Sequence, residues 1–294
     1  RFKPGGSAGG VNPIAWGTYC PGYARMAKGY GVVIQPADCQ GAIFADKWMG
    51  TAYQFYGVKE CTEPASALDH KSFVRRMFSD ASAGATQFFT YEFPQHADDI
   101  HKYVQLITGK AGDTQVAVYC PTTLYRLGGD LQPTIQASRS LRDLCDFDVL
   151  DEALIEDGAL TTQRYKALLI FQADIVDQPI LDKLAVFQKA GGKLIVIGDT
   201  VIKNVEDEPW DGISQVEHVE KTPNSKTWLE NLSQKLAGLS GVDGKLDGVW
   251  TTRRGQQIFA LNTGDKPAVV QIDGQPIEIG PSEIYFTPNE KANQ

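Results

Sequence analysis

From residue 31 onward the chain alternates short apolar runs with segments whose apolar residues recur at helical spacing. This alternation constrains the fold more than any other feature. "GVVIQPADCQ" (31–40), "VKECTEP" (58–64) and "TQFFTYEFP" (86–94) have strand composition and end in turn residues or proline. Between them lie two predicted helices: "GAIFADKWMGTAYQFYG", closed by Gly57, and "DHKSFVRRMFSDASAGA", with Asp69 as N-cap and Gly84 near its end. A third helix, "ADDIHKYVQLITG", carries acidic residues in its first turn, where they complement the helix dipole. Three successive βα units demand parallel strands with helical crossovers. In such sheets chemistry gathers at the C-terminal ends of the strands. Asp38, Glu60, Glu63, Tyr91 and Glu92 all fall at those ends.

The composition breaks at "TGKAGDT" (108–114), and a second α/β run begins. "QVAVYCP", "YKALLIFQA" and "KLIVIGD" read as strands, the last two with the continuous apolar character of buried ones. "LQPTIQASRSLRDLCDF", "DQPILDKLAVFQKAGG" and "SKTWLENLSQKLAGLSG" read as helices, and "DVLDEALIEDGAL" as a short strand and a loop. In the second of those helices Ile180, Leu181, Leu184, Val186 and Phe187 form the expected apolar face. The pattern predicts a doubly wound, Rossmann-like domain. Past it, "RGQ", "TGDKP", "DGQP" and "GPSE" separate short strands, which predicts antiparallel hairpins. So small a β-module makes a poor core alone and is expected to pack on the rest of the chain.

A length of 294 residues suggests about two domains, and the net charge of −8 argues against a nucleic-acid partner, which needs clustered Lys and Arg. No apolar run approaches the roughly 20 residues that span a bilayer, so the chain reads as soluble. A periplasmic or secreted bacterial setting fits, but the residues leave the compartment open. Five cysteines (Cys20, Cys39, Cys61, Cys120, Cys145) without CxxC spacing read as reduced core residues. His70, His96, His101 and His218 form no metal constellation, and solvated helix positions are expected for them. The Gly-rich opening "RFKPGGSAGG" reads as a loop, and the chain as a piece of something longer.

Glu63 ends its strand and is followed by Pro64, the fixed setting that a carboxylate nucleophile requires. Glu60, three positions earlier, points to the other face. Two solvated loop charges remain an alternative reading of this pair. The second α/β run has "YCPTTLYRLGGD" where a dinucleotide site needs GxGxxG. It has "VIGDT", without cysteine, where an amidotransferase of this topology carries its nucleophile, and Cys120 reads as core. This domain is expected to be structural. Trp16 and Tyr19, among Gly and Pro, could form a sugar-stacking platform.

The order of parts resembles the β-galactosidases of glycoside hydrolase family 42. The resemblance rests on "VKECTEP", similar to the seventh-strand segment bearing the nucleophile, and on "FVRRMFSDASAGATQFFTYEF", similar to the following helix and last strand. It implies an α/β chain with three parts. Residues 1–112 would be the C-terminal portion (strands six to eight) of a (β/α)8 barrel, and 113–243 a non-catalytic, class I amidotransferase-like oligomerisation domain. Residues 244–294 would be a small antiparallel β-domain. It also implies a retaining glycosidase without cofactor or metal, with Glu63 as nucleophile and Asp38, Tyr91, Glu92, Trp16 and Tyr19 on the carbohydrate. The acid/base glutamate and five further strands would come from a second polypeptide or an N-terminal segment, and the complete unit would form a trimer. Where the family usually has Gln or an aromatic residue beside the nucleophile this chain has Pro64, and its last strand ends in "TYEFP" in place of an aromatic-Arg pattern. The sugar is therefore left open. A non-catalytic carbohydrate-binding or assembly protein on the same scaffold is the competing class, and an amidotransferase is a third reading.

Overall fold

The computed structural model describes residues 20–34, 37–38, 43–64, 67–210, 216–221, 225, 227–241, 248–272 and 274–287. It is a mixed α/β chain with two compact units, one formed by residues 1–113 with 246–294 and the other by 114–245.

Among the described residues the first unit begins with α1 (Cys20–Ala27), a segment to which the sequence pattern assigned no element. Pro21 in its first turn explains the start, since a missing N–H costs nothing there. β1 (Val33–Ile34) and β2 (Ala37–Asp38) follow, then α2 (Ile43–Tyr56), β3 (Lys59–Pro64), α3 (His70–Ala83) and β4 (Gln87–Phe88). β3 is the centre of a parallel sheet. It pairs with β1 (Val33↔Lys59), with β2 in the same continuing register (Ala37↔Glu63, Asp38↔Pro64), and with β4 (Cys61↔Gln87, Thr62↔Phe88).

α3 obeys its sequence signals closely. Asp69 Oδ1 accepts the Ser72 N–H at 2.7 Å, and Gly84 closes the helix at φ 89°, a left-handed conformation that glycine adopts without strain. α2 and α3 touch so closely that a Cβ on Gly50 would lie 2.3 Å from the Ala83 carbonyl oxygen. The fully buried Lys47 donates Nζ to the Ser82 oxygen at 2.8 Å.

The run "TQFFTYEFP" is strand only over its first residues. Phe89 N–H still bonds the Thr62 oxygen, but Arg76 Nη1 captures the Phe89 carbonyl at 2.8 Å and the chain leaves the ladder. A 3-10 turn, Phe93–His96, leads into α4 (Ala97–Tyr103), which ends six residues before the expected Gly109. The Gly109 N–H bonds Ala85 O, drawing the chain back to the end of α3.

In the second unit a five-stranded parallel sheet is built from β5 (Val116–Cys120), β6 (Asp148–Asp151), β7 (Ala167–Ile170), β8 (Lys193–Ile197) and β9 (Glu217–Val219). Their order is β6-β5-β7-β8-β9. The helices are α5 (Thr122–Arg126), α6 (Gln132–Leu141), α7 (Glu152–Glu156), α8 (Gln178–Lys189) and α9 (Thr227–Leu236). Strands β5 to β7 are buried along their whole length, as a sheet covered on both faces requires. α7 stands where the sequence suggested a loop. Asp151 caps it by accepting the Leu154 N–H at 2.8 Å, a signal hidden inside "DVLDEAL". Val186 of α8 is 63% exposed, so it lies outside the buried face of Ile180, Leu181, Leu184 and Phe187.

The last elements, β10 (Val249–Arg254), β11 (Gln257–Asn262), β12 (Ala268–Ile272), β13 (Gln275–Ile279) and β14 (Ile284–Phe286), are antiparallel hairpins. Val249, Ile258, Ala260, Val270, Ile272 and Ile279 form their core. They belong to the first unit and pack on α3 and α4. Phe78 meets Phe259 edge to face at 5.4 Å, and the Arg254 guanidinium donates to the carbonyls of Leu106 and Ala81.

Candidate active site

Side chains alternate across β3, and the partner of Thr62 fixes which face is which. Thr62 Oγ1 donates to Asp80 Oδ2 at 2.8 Å and accepts from Arg76 Nη2 at 2.9 Å, both on α3. Thr62 and Glu60 therefore face the helix layer, while Cys61 and Glu63 face away from it. Arg76 and Asp80 are buried, 3.6 Å apart, and Arg76 also stacks over Phe88 at 4.1 Å. This network ties the end of β3 to the end of β4. Its members stand four apart in "FVRRMFSD", but nothing in the sequence says that they are buried.

Glu63 sits at the C-terminal end of β3, 7% exposed, and the Tyr91 hydroxyl donates to its Oε1 at 2.8 Å. Glu60 is 3% exposed. The reading of the two glutamates as solvated loop charges is overturned by this burial. Tyr91 is 56% exposed and meets Phe89 edge to face at 5.0 Å.

Asp38 pairs along the backbone with Pro64, next to the Glu63 position. Glu92 is held elsewhere: its Oε2 accepts the Leu68 N–H at 3.1 Å and lies 3.7 Å from His96 Nε2. Trp16 and Tyr19 lie outside the described residues. His96 is not solvated but 5% exposed, stacked on Phe73 at 4.0 Å with the rings 6° apart. Its burial reflects the chain folding back after β4, which helix spacing cannot reveal. Among the described residues no group of three or more His, Cys, Asp or Glu could hold a metal ion. No described helix is long and apolar enough to cross a membrane.

The second unit has its own carboxylate at a strand end. Glu152, first residue of α7, accepts from Tyr119 Oη (2.6 Å), Thr122 Oγ1 (2.9 Å), Thr123 N (2.8 Å) and Thr123 Oγ1 (2.5 Å). Burial raises its pKa above the usual carboxylate value, against the lowering effect of those hydrogen bonds. Cys120 beside it is fully buried, and burial together with the charges of Asp151 and Glu152 holds its thiol well above the ordinary range. A thiol so held is inert as a nucleophile. Cys61, Cys120 and Cys145 are buried and in no disulfide.

The fold, with a carboxylate presented at the end of a parallel strand, is similar to that of solved glycoside hydrolases, among them β-galactosidases and a family 42 carrageenase. The β-galactosidase from Halorubrum lacusprofundi superposes with a TM-score of 0.61 at 12% identity, over 85% of this chain and 56% of its own. The family 42 exo-carrageenase from Bacteroides ovatus gives 0.58 at 8% identity, over 85% of this chain and 44% of its own. A family 42 β-galactosidase from G. stearothermophilus gives 0.56 at 13% identity, over 90% and 60%. The chain thus spans about half of the length of the structures it matches. No family profile and no curated protein sequence matches it.

Proposed function

We propose that this chain is part of a retaining glycoside hydrolase of the β-galactosidase type, with Glu63 as its nucleophile. The observation that carries the reading is the Tyr91–Glu63 hydrogen bond at the end of β3, on the face turned away from the helices. A phenol donating to one carboxylate oxygen stabilises the ionised form and orients the other oxygen toward an incoming anomeric carbon. In the first step that oxygen bonds the anomeric carbon while the glycosidic bond breaks and a general acid protonates the departing oxygen. In the second, the same residue, now a base, takes a proton from water, whose oxygen displaces Glu63 and releases the sugar.

The sheet around β3 is read as strands six to eight of a (β/α)8 barrel. Among the described residues no further strand pairs with β4 or with β1 and β2 on their outer sides, and a barrel leaves no open edge. The acid/base glutamate belongs, on this reading, to a segment or partner chain outside this sequence. Residues 113–243 are read as a Rossmann-like, non-catalytic domain, a reading supported by the strand order β6-β5-β7-β8-β9 and by the buried Cys120 thiol, and we further propose that it is the oligomerisation domain of a trimer.

The test is hydrolysis of aryl β-galactosides and related aryl β-glycosides by the complete protein, with trapping by a 2-deoxy-2-fluoro glycoside. Labelling of the peptide containing Glu63 is expected. A protein that binds sugar but cleaves none of these substrates would favour a non-catalytic carbohydrate-binding or assembly role. Light scattering at micromolar concentration tests the trimer, and a monomeric mass would remove it.

A further inference from the structure

We propose that Glu92 and His96 are positioning residues for the Glu63–Tyr91 pair, acting by gripping the backbone of Leu68 from both sides. The inference rests on the reading of Glu63 as the nucleophile and deepens it. Leu68 lies in the loop between β3 and α3, five positions after Glu63. Its N–H donates to Glu92 Oε2 at 3.1 Å, and its carbonyl is 2.9 Å from His96 Nε2. A carbonyl can only accept, so Nε2 carries the proton and donates. The β3–α3 loop and the segment after β4 are therefore pinned at two places: Tyr91 to Glu63, and Glu92 with His96 to Leu68.

His96 is itself held firmly. Its ring stacks on Phe73 of α3, it is 5% exposed, and Asp99 Oδ2, which also accepts from His70 Nδ1 at 2.9 Å, lies 3.8 Å from its Nδ1. Tyr91 is less enclosed, 56% exposed with its ring edge to face with Phe89 at 5.0 Å. Its backbone position opposite Glu63 is set in part by Glu92, the next residue in the chain. Releasing the grip lets the two loops drift apart and moves the phenol off the carboxylate. An error of about 1 Å at a nucleophile is enough to cost up to roughly a hundredfold in rate.

The experiment compares variants of the complete protein on an aryl β-galactoside, with amide exchange at Leu68 and the Tyr91 ring NMR signal as structural readouts. His96→Phe keeps the stack but lacks the donor. It is expected to lower kcat by about tenfold to a hundredfold with KM within about twofold, to speed exchange at Leu68 and to shift the Tyr91 signal. His96→Gln, which returns an N–H toward the Leu68 carbonyl, is expected to recover most of kcat. A raised KM at unchanged kcat would make His96 a substrate contact and overturn the proposal. So would unchanged kcat, exchange and Tyr91 signal together. If His96→Phe fails to fold, Glu92→Ala, at a partly exposed side chain, carries the same expectations. If the wild-type protein cleaves no glycoside, the functional reading falls, and the grip is judged by whether the Tyr91 signal moves in these variants.

Discussion

Glu63 and Glu152 occupy comparable places, each buried at the C-terminal end of a strand in a parallel sheet, yet their hydrogen-bonding partners differ. Glu152 accepts four hydrogen bonds from Tyr119, Thr122 and Thr123, all within its own unit, and is closed off from solvent. It joins the tips of β5 and β6. Glu63 is met by a tyrosine that is itself more than half exposed, on the face away from the helices. The lesson is that a strand-end carboxylate marks a position where chemistry is possible. Which groups surround it is decided by the fold, and the tyrosine at Glu63 and the tyrosine–threonine cluster at Glu152 are different answers.

Substitution of each residue tests this contrast. Glu63→Gln is expected to lower turnover by on the order of a thousandfold or more while leaving the melting curve unchanged, because only a charge is lost. A rate close to wild type would move the catalytic role off Glu63 and break the comparison. Glu152→Ala should do the reverse. It orphans buried donors on Tyr119, Thr122 and Thr123, at a cost of about 2–4 kcal/mol in urea unfolding of the second unit, without changing kcat of the folded protein.

The contrast sharpens with pH. Because burial raises the Glu152 pKa above 4.5, the folded state retains a proton that the unfolded state releases. Its contribution is full below 4.5 and is lost as pH rises through the raised value. Glutamine does not titrate, so the stability advantage of wild type over Glu152→Gln should be largest on the acid side of that window and shrink as pH rises. A gap that widens with pH would mean that the hydrogen bonds, not burial, dominate at Glu152.

The smallest effect is expected at Asp69, which starts the helix following the Glu63 loop. Asp69→Ala removes the cap on Ser72 and should cost about 1 kcal/mol by thermal melt. The Ser72 hydrogen bond lowers the Asp69 pKa below 3.8, so its contribution is present above that value and fades as pH falls through the lowered one. No loss at neutral pH would show that α3 is anchored by the Thr62–Arg76–Asp80 network alone.

Much of this was legible before the structure. Asp69, Gly84 and most of the apolar face of α8 act locally, within a turn or two, and local signals place helices well. The turn residues of the final hairpins are similarly self-contained. What proved hard to read were features set by distant partners. "TQFFTYEFP" has strand composition throughout but leaves the ladder after Phe88, because Arg76, thirteen residues earlier, takes the Phe89 carbonyl. Val186, counted with the apolar face of α8, falls about 100° round the helix from Phe187 and is exposed. His96 has the neighbours of a solvated histidine in sequence and the surroundings of a core residue in space.

The sequence by itself determined the parallel βα units, the caps of α3, the antiparallel character of the last segment and the placing of Glu63 at a strand end. Each follows from backbone geometry and side-chain period acting over a few residues. Only the tertiary structure decided that Glu63 meets Tyr91, that Glu92 turns away to Leu68, that His96 is buried, and that Glu152 is saturated by its own neighbours. Those outcomes depend on hydrogen bonds spanning 24 to 33 positions of chain. A buried donor takes whichever acceptor the packing brings within reach, and that choice has no period for a sequence to display.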